Sequence, residues 1–253
     1  MIRMEGFLSA LAAGEGLRFL GSVPARPSED EFLSQFAQAQ SKDFQSWTGG
    51  GCQAGMDWLL RNAQKRADAD AVMPGTKAVL VFAMPFQNPE SSGEDDAALF
   101  STGADRGSLL GGELASYANG RDYHTVFRRK LQAIQAALGA EVLESTFRVL
   151  IDANPLSERF FAGLTGAGFI GRNTMLILPG LGSRFFLGTV LVAGTGGRVL
   201  AQALSGSGQD SRNMVRHPGQ GCPPGCRKCI DACPTGALRL GGSGKGQLDS
   251  RLC

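Results

Sequence analysis

Apolar positions along this chain recur with two different periods. Phe7, Leu8 and Leu11, and then Phe32, Leu33 and Phe36, fall at helical spacing and predict amphipathic helices over residues 4–20 and 29–40. Met56, Leu59, Leu60 and Ala63 share one face of a third helix, over 54–67. Between them, Trp47-Thr48-Gly49-Gly50-Gly51 reads as a loop. Residues 77–84 are almost continuously apolar and stop at Pro85, the mark of a central buried strand. A second buried strand spans 147–151 and ends at Asp152. Helices are expected over 121–138, with a basic outer face at Arg128-Arg129-Lys130, and over 156–165. Residues 174–178 and 184–193 read as strands joined in a hairpin by Pro179-Gly180-Leu181-Gly182-Ser183. Two stretches lack periodicity: 87–112, read as a mobile surface excursion, and 194–220, read as a Gly/Ser-rich linker or insertion. Helices and strands mix without strict alternation, so an α+β sandwich is expected rather than a doubly wound sheet.

Composition narrows the function classes. Hydrophobic residues make up 43% and charged residues 19% of 253, ordinary for a globular protein with a sizeable core. The 25 basic and 23 acidic side chains nearly cancel, so charge alone points to neither nucleic acid nor membrane. No apolar window is long enough to span a bilayer, and Glu5 and Glu15 sit where a signal peptide is apolar. A cytoplasmic monomer with no membrane partner is the expectation.

The six cysteines change the picture most. Four of them, Cys222, Cys226, Cys229 and Cys233, form a C-x3-C-x2-C-x3-C-P run. Its first gap is one residue longer than the run that holds 4Fe–4S clusters in bacterial ferredoxins, where the first three cysteines ligate one cluster and the fourth another. A zinc site would favour two separated C-x2-C pairs. A disulfide framework suits a small secreted domain. Iron–sulfur ligation is the reading the run favours, whereas isolated Cys52 reads as a buried thiol. Asp152, at the rim of a sheet, is either a functional carboxylate or the cap of a helix opening near Pro155. Gly171 and Asn173 read most simply as a left-handed turn, Arg66 as a helix-end charge, and Tyr123-His124 as helix-packing residues.

Several of these elements occur together, in order: Gly55-Met56-Asp57-Trp58-Leu59 with Arg66, Tyr117-Ala118-Asn119-Gly120-Arg121-Asp122-Tyr123-His124, Asp152 after its strand, Gly171-Arg172-Asn173, Gly182-Ser183-Arg184-Phe185-Phe186-Leu187-Gly188, Cys233-Pro234-Thr235-Gly236-Ala237, and Leu248-Asp249-Ser250-Arg251-Leu252-Cys253. From about residue 50 onward the chain resembles the epoxyqueuosine reductases, which complete queuosine in tRNA. Arg172 stands where the family has lysine, and 194–220 is longer than the family norm.

The resemblance implies a nitroreductase-like cobalamin-binding sandwich followed by a ferredoxin-like iron–sulfur segment. The corresponding divisions are a catalytic domain over 1–195, a linker over 196–220 and a partial 4Fe–4S segment over 221–253. It implies an oxidoreductase that takes electrons from a low-potential donor through two 4Fe–4S clusters to cobalamin and reduces epoxyqueuosine in tRNA. Asp152 would be the proton donor, kept protonated by apolar surroundings. Arg66, Tyr123, His124, Asp152, Gly171, Asn173, Leu176, Ser183 and Leu187 would line the cofactor, and Arg159 and Arg172 would meet tRNA phosphate. Cys222, Cys226, Cys229, Cys233 and Cys253 would be metal ligands. Two clusters need eight thiolates, so the sequence reads as cut short after its first cysteine run. The readings from other classes are a cobalamin carrier without turnover and an electron-transfer module.

Overall fold

The computed structural model of the chain describes residues 2–31, 33–86, 116–118, 120–152, 154–204, 221–241 and 244–253. Helix α1 (Ile2–Gly14) leads into strand β1 (Arg18–Pro24). Helix α2 (Ser34–Gly49) and the single turn α3 (Trp58–Arg61) precede the long strand β2 (Thr76–Pro85). Helix α4 (Tyr123–Glu141), strand β3 (Ser145–Leu150) and helix α5 (Glu158–Leu164) follow. Two-residue strands β4 (Phe169–Ile170) and β5 (Leu176–Ile177) come before strand β6 (Phe185–Ala193) and helix α6 (Gly194–Leu204). The C-terminal part holds the short helix α7 (Lys228–Asp231) and the strands β7 (Leu238–Leu240) and β8 (Gly246–Leu248).

One antiparallel sheet, in the order β1-β2-β6-β3, organises the chain. Side chains alternate across β2 and β6, so the unbroken apolar runs feed two cores. Val79, Val81, Ala83 and Leu191 pack with Phe36 of α2 and with Phe160 and Phe161 of α5. Leu80, Phe82, Val190 and Val192 pack with Leu8 of α1, with Phe127, Leu131 and Leu138 of α4, and with Leu200 of α6. Each fully buried Leu or Phe contributes about 1.5–3 kcal/mol of transfer free energy, so both helical layers are held to the sheet. The expected α+β arrangement is what the residues build. Among the described residues no helix is long and apolar enough to cross a membrane.

Several boundaries differ from the sequence pattern, each for a physical reason. The helix predicted over 4–20 ends at Gly14, because Gly16 (φ +68°) turns the chain into edge strand β1. The helix predicted over 29–40 starts later and runs on to Gly49, absorbing the expected loop at Trp47. There the Trp47 Nε1–H donates to the Leu248 carbonyl at 2.5 Å, a contact between distant parts of the chain that no local pattern reveals. Over 54–67 only α3 and a 3-10 turn at Ala63–Lys65 form, and Trp58 and Leu60 stay exposed. Helix α4 begins two residues later than predicted, where Asp122 caps it.

The predicted hairpin of 174–178 with 184–193 is not made. Strand β6 already pairs with β2 on one edge and β3 on the other, so β5 pairs with β4 instead. Residues 194–204, read as the start of a linker, are helix α6 with Leu200 and Leu204 buried. Their glycines allow close approach: a Cβ at Gly196 would lie 2.2 Å from Ser145 Oγ, and one at Gly197 2.7 Å from the Val192 carbonyl oxygen. Glycine content that resembles a linker is here a packing device. The excursion at 87–112 and the rest of the presumed linker, 205–220, lie outside the described residues.

Candidate active site

Asp152 follows the last residue pair of β3 with φ +52°, a left-handed conformation uncommon for a non-glycine residue. Such backbone costs on the order of 1–3 kcal/mol and persists only where its surroundings hold it. It turns the carboxylate off the sheet, with the side chain 66% exposed. The apolar enclosure expected around Asp152 is therefore absent. Nor is Asp152 a helix cap, since Ser157 occupies that position before α5. Instead Asp152 Oδ2 accepts the Tyr123 hydroxyl at 2.6 Å and lies 3.4 Å from His124 Nε2.

Both rings are set by the start of α4. Asp122 caps the helix, accepting the backbone N–H of His124 at 3.1 Å and of Thr125 at 3.3 Å, and the Thr125 hydroxyl at 2.8 Å. Hydrogen bonds from Thr125 and His124 hold the Asp122 carboxyl down at about 2. Its Oδ1 is also 3.0 Å from His124 Nδ1, so the imidazole spans Asp122 and Asp152. The Tyr123 ring stacks between His124 and Phe186, 3.9 Å from the latter and nearly parallel to it. Burial and the neighbouring Asp152 push the Tyr123 pKa upward, which keeps its hydroxyl a donor.

Behind Asp152, Asn154 ties down the turn. Its N–H donates to the Asp152 carbonyl at 2.6 Å, its Oδ1 accepts the Leu156 N–H at 2.9 Å, and its Nδ2 donates to Glu158 Oε1 at 2.8 Å. Burial pushes Glu158 from its ordinary 4.5 up to about 7, with Asp152 adding to the rise and the Asn154 bond opposing it. A raised acid pKa means that folding favours the neutral form. Stability is then greatest below the unfolded pKa and falls as pH rises from 4.5 to about 7. At 1.36 kcal/mol per pKa unit this loss is on the order of 3 kcal/mol. Glu158→Gln keeps the acceptor for Asn154, so it is expected to flatten that decline and raise the unfolding temperature at pH 7.5 more than at pH 5. Parallel unfolding curves for both proteins at both pH values would contradict the assignment.

A cleft of about 560 Å³ opens between α2, α5 and the β7–β8 strands. Phe36, Phe44, Trp47 and Phe160 supply aromatic walls, and Arg66 and Arg159 reach into it. The Arg66 guanidinium lies 5.1 Å over the Phe44 ring, and desolvation lowers its pKa. Arg159 Nη1 donates to the Thr174 carbonyl at 2.6 Å. Its pKa is lowered by desolvation first and by Arg66 second. Arg159 nonetheless remains exposed to solvent, so this desolvation is partial.

Other predicted site residues fall elsewhere. The Arg172 backbone N–H donates to Cys222 Sγ at 3.4 Å, and its guanidinium bonds the Cys226 carbonyl, so it serves the cysteine segment rather than an open surface. The left-handed residue of the 171–174 turn is Thr174 (φ +64°), not Gly171 or Asn173. At Gly171 an added Cβ would lie 2.7 Å from both Ile177 Cδ1 and Asn173 Oδ1, side-chain ends that would have to shift to admit it. Leu176 is buried in the core and Leu187 packs against it, while Ser183 is half-buried before β6. Arg128 and Arg129 are exposed as expected, but Lys130 reaches the Glu15 carbonyl at the end of α1.

Cys52 is buried as expected, 3.5 Å from an Arg239 nitrogen. Asp249, also buried, pairs with Arg239 at 3.0 Å and Arg251 at 2.7 Å. Among the described residues no group of three or more His, Cys, Asp or Glu side chains is gathered as a metal site. The donor chemistry of the cysteine run nonetheless suits thiolate ligands. Cys233 Sγ accepts the Leu238 N–H at 3.4 Å, which lowers its pKa, and Cys222 Sγ has the Arg172 N–H.

Comparison with known proteins bears on this arrangement directly. Residues 66–153 match the family model described as epoxyqueuosine reductase QueG, DUF1730. The epoxyqueuosine reductase of Xanthomonas campestris pv. campestris is 32% identical over 208 residues, 82% of this chain and 50% of that protein. That of Aliivibrio fischeri is 30% identical over 224 residues, 88% of this chain and 51% of that protein. The chain is related to the epoxyqueuosine reductases. It spans about half the length of the curated relatives it matches. The fold agrees: an epoxyqueuosine reductase crystallised with an epoxyqueuosine-modified tRNA-Tyr stem loop gives a TM-score of 0.68 at 22% identity, covering all of this chain and 56% of that one. The Bacillus subtilis enzyme, with its catalytic aspartate loop swung out of the active site, gives 0.68 at 21% identity with the same coverage.

The region shared with the epoxyqueuosine reductase model runs from Arg66 to just past Asp152 and contains Tyr123 and His124. Sequence reasoning missed the residues that set these groups in place: Asp122, Asn154 and Glu158. Only Asp122 left a local signal, an aspartate directly before an apolar-periodic segment.

Proposed function

We propose that this chain forms the catalytic part of an enzyme that reduces epoxyqueuosine to queuosine in tRNA, with Asp152 as the proton donor. The observation that carries this reading is the exposed Asp152 carboxylate, held in a left-handed turn against the Tyr123 hydroxyl and the His124 ring. Removing the epoxide oxygen as water consumes two electrons and two protons and leaves a carbon–carbon double bond. Departure of that oxygen needs an acid beside it. Protonated Asp152 can give its proton to the oxygen, while Tyr123 O–H stabilises the carboxylate that results. His124 lies between Asp152 and Asp122, where the imidazole can pass a replacement proton to Asp152.

The four-stranded sheet with helices on both faces is read as the nitroreductase-like cobalamin-binding sandwich, and 221–253 as a ferredoxin-like segment. Tyr123, His124 and Asp152 are the groups suited to face the corrin, and Cys222, Cys226, Cys229, Cys233 and Cys253 to hold iron–sulfur clusters. Cobalamin and the clusters would supply the two electrons at low potential, from a low-potential donor. Support for a tRNA substrate comes from the structural relative crystallised with the modified stem loop. Support for an aspartate acid comes from the relative with a catalytic aspartate loop.

The test is anaerobic conversion of epoxyqueuosine-containing tRNA by the protein given cobalamin and a chemical reductant. Formation of queuosine is expected. Cobalamin binding with no conversion would favour the carrier reading. Metal content gives a separate check. Two 4Fe–4S clusters require eight thiolates, and five cysteines are candidates here: Cys222, Cys226, Cys229, Cys233 and Cys253. Reconstituted protein of this length is expected to hold fewer than about eight irons, in an oxygen-sensitive form. Cys226→Ser should lower that content further. Eight stable irons per chain would contradict the ligand set.

A further inference from the structure

The left-handed backbone of Asp152 persists only where neighbours hold it. Its carboxylate is tied on one side, accepting the Tyr123 hydroxyl and lying beside His124 Nε2. Those contacts aim the carboxylate only while the main chain beneath it stays in place. The main chain is tied from the other side. The Asn154 N–H donates to the Asp152 carbonyl at 2.6 Å, and the Asp152 N–H acts on the Glu158 carboxyl, where it favours the charged form. Glu158 Oε1 also accepts Asn154 Nδ2 at 2.8 Å, and Asn154 Oδ1 accepts the Leu156 N–H, so the amide is engaged at both ends. Glu158 opens α5, whose Phe160, Phe161 and Leu164 are anchored in the core against the sheet. Burial penalises this carboxyl. The groups that offset the penalty belong to its own helix N-terminus and to the residues around Asp152.

We propose that Asn154 and Glu158 are positioning residues, an amide–carboxyl pair that clamps the Asp152 main chain to α5 and thereby aims its carboxylate at Tyr123 and His124. The value of that aim to catalysis rests on the reading of Asp152 as proton donor. The clamp itself is read from a spectrum that needs no turnover, so the two can fail separately.

Tyr123 supplies that spectrum. The chain has two tyrosines, and Tyr117→Phe leaves Tyr123 as the sole reporter. Biosynthetic meta-fluorotyrosine then gives one fluorine resonance, whose shift follows the bond from the Tyr123 hydroxyl to Asp152. Asp152→Gly, which tolerates the left-handed backbone, marks the position of the unbonded hydroxyl. Asn154→Ala and Glu158→Ala are each expected to move the resonance at least halfway to that mark. Glu158→Gln keeps an acceptor for Asn154 Nδ2 and should stay at the wild-type position. The double variant Asn154→Ala with Glu158→Ala should move it no further than either alone, because the two side chains form one contact. Circular dichroism checks that each variant is folded. Turnover of epoxyqueuosine-containing tRNA should follow the same order, ~10-fold lower for Asn154→Ala with KM within about twofold, as when an acid is displaced while substrate contacts remain. A wild-type resonance in Asn154→Ala, or equal displacement by Glu158→Gln and Glu158→Ala, would overturn the clamp. Shifted resonances without a loss of turnover, or with no turnover even in the wild type, uphold the clamp and count against the reductase reading alone.

Discussion

Replacing Asp152 by Asn is expected to lower turnover of epoxyqueuosine-containing tRNA by ~10²–10⁴-fold, the usual contribution of a positioned general acid. Asn keeps the size of the side chain, and its carbonyl can still accept the Tyr123 hydroxyl that now lies 2.6 Å from Oδ2. It tolerates the left-handed backbone at φ +52° at least as well as Asp. The turn, the stacked Tyr123 ring and the Asn154 bonds should therefore persist, and cobalamin affinity should hold within about twofold if the variant removes only the proton. Tyr123→Phe is the informative companion. It removes one hydrogen bond to the carboxylate, a loss of roughly 1.5–3 kcal/mol where a charged group is involved, and leaves the acid in place. The expected order is wild type, then Tyr123→Phe, then Asp152→Asn. An Asp152→Asn rate within about tenfold of wild type, ~1.4 kcal/mol of barrier, would show that another group donates the proton.

Some of this molecule was readable from its residues, and the division follows interaction range. Strands β2 and β6 announce themselves because both faces are buried, so their apolar runs need no knowledge of what covers them. Strand β1 does not, because an edge strand broken by a bulge at Gly21 looks locally like the tail of the preceding helix. Helix α6 was hidden by Gly196 and Gly197, whose purpose appears only when Ser145 and Val192 are seen beneath them.

The site divides the same way. Asp152 lies 29 residues from Tyr123 and 28 from His124 in sequence, yet both meet it at Oδ2. Their chemistry could be guessed from residue type, but the meeting follows from helix α4 starting where Asp122 caps it. The cleft was the least legible feature. It joins α2, α5 and the C-terminal strands, elements far apart in sequence, so no local pattern announces it.

The C-terminal strands give the sharpest structural prediction, because one atom decides it. A Cβ on Gly246 would lie 1.9 Å from the Arg172 carbonyl oxygen, 2.5 Å from its carbon and 2.6 Å from Cα. These are backbone atoms that cannot rotate away, so Gly246→Ala must lift β8 off the 171–174 turn. Overpacking of this kind typically costs about 1–3 kcal/mol, and more when the obstacle is main chain. The consequences are local and linked. Gly246, Gln247 and Leu248 form one wall of the cleft, and Leu248 accepts the Trp47 indole. Arg172 is the residue whose N–H reaches Cys222. Gly246→Ala is therefore expected to speed amide exchange over 246–248, shift Trp47 fluorescence as its bond to Leu248 is lost, and reduce iron retention together. The two cores against the main sheet do not include Gly246, so far-ultraviolet circular dichroism should change little. Gly55→Ala, where an added Cβ meets nothing within 4 Å, is the control. Should Gly246→Ala match that control in exchange, Trp47 fluorescence and iron content, the packing of β8 on the 172 turn would be wrong. The C-terminal segment would then be independent of the cleft it borders.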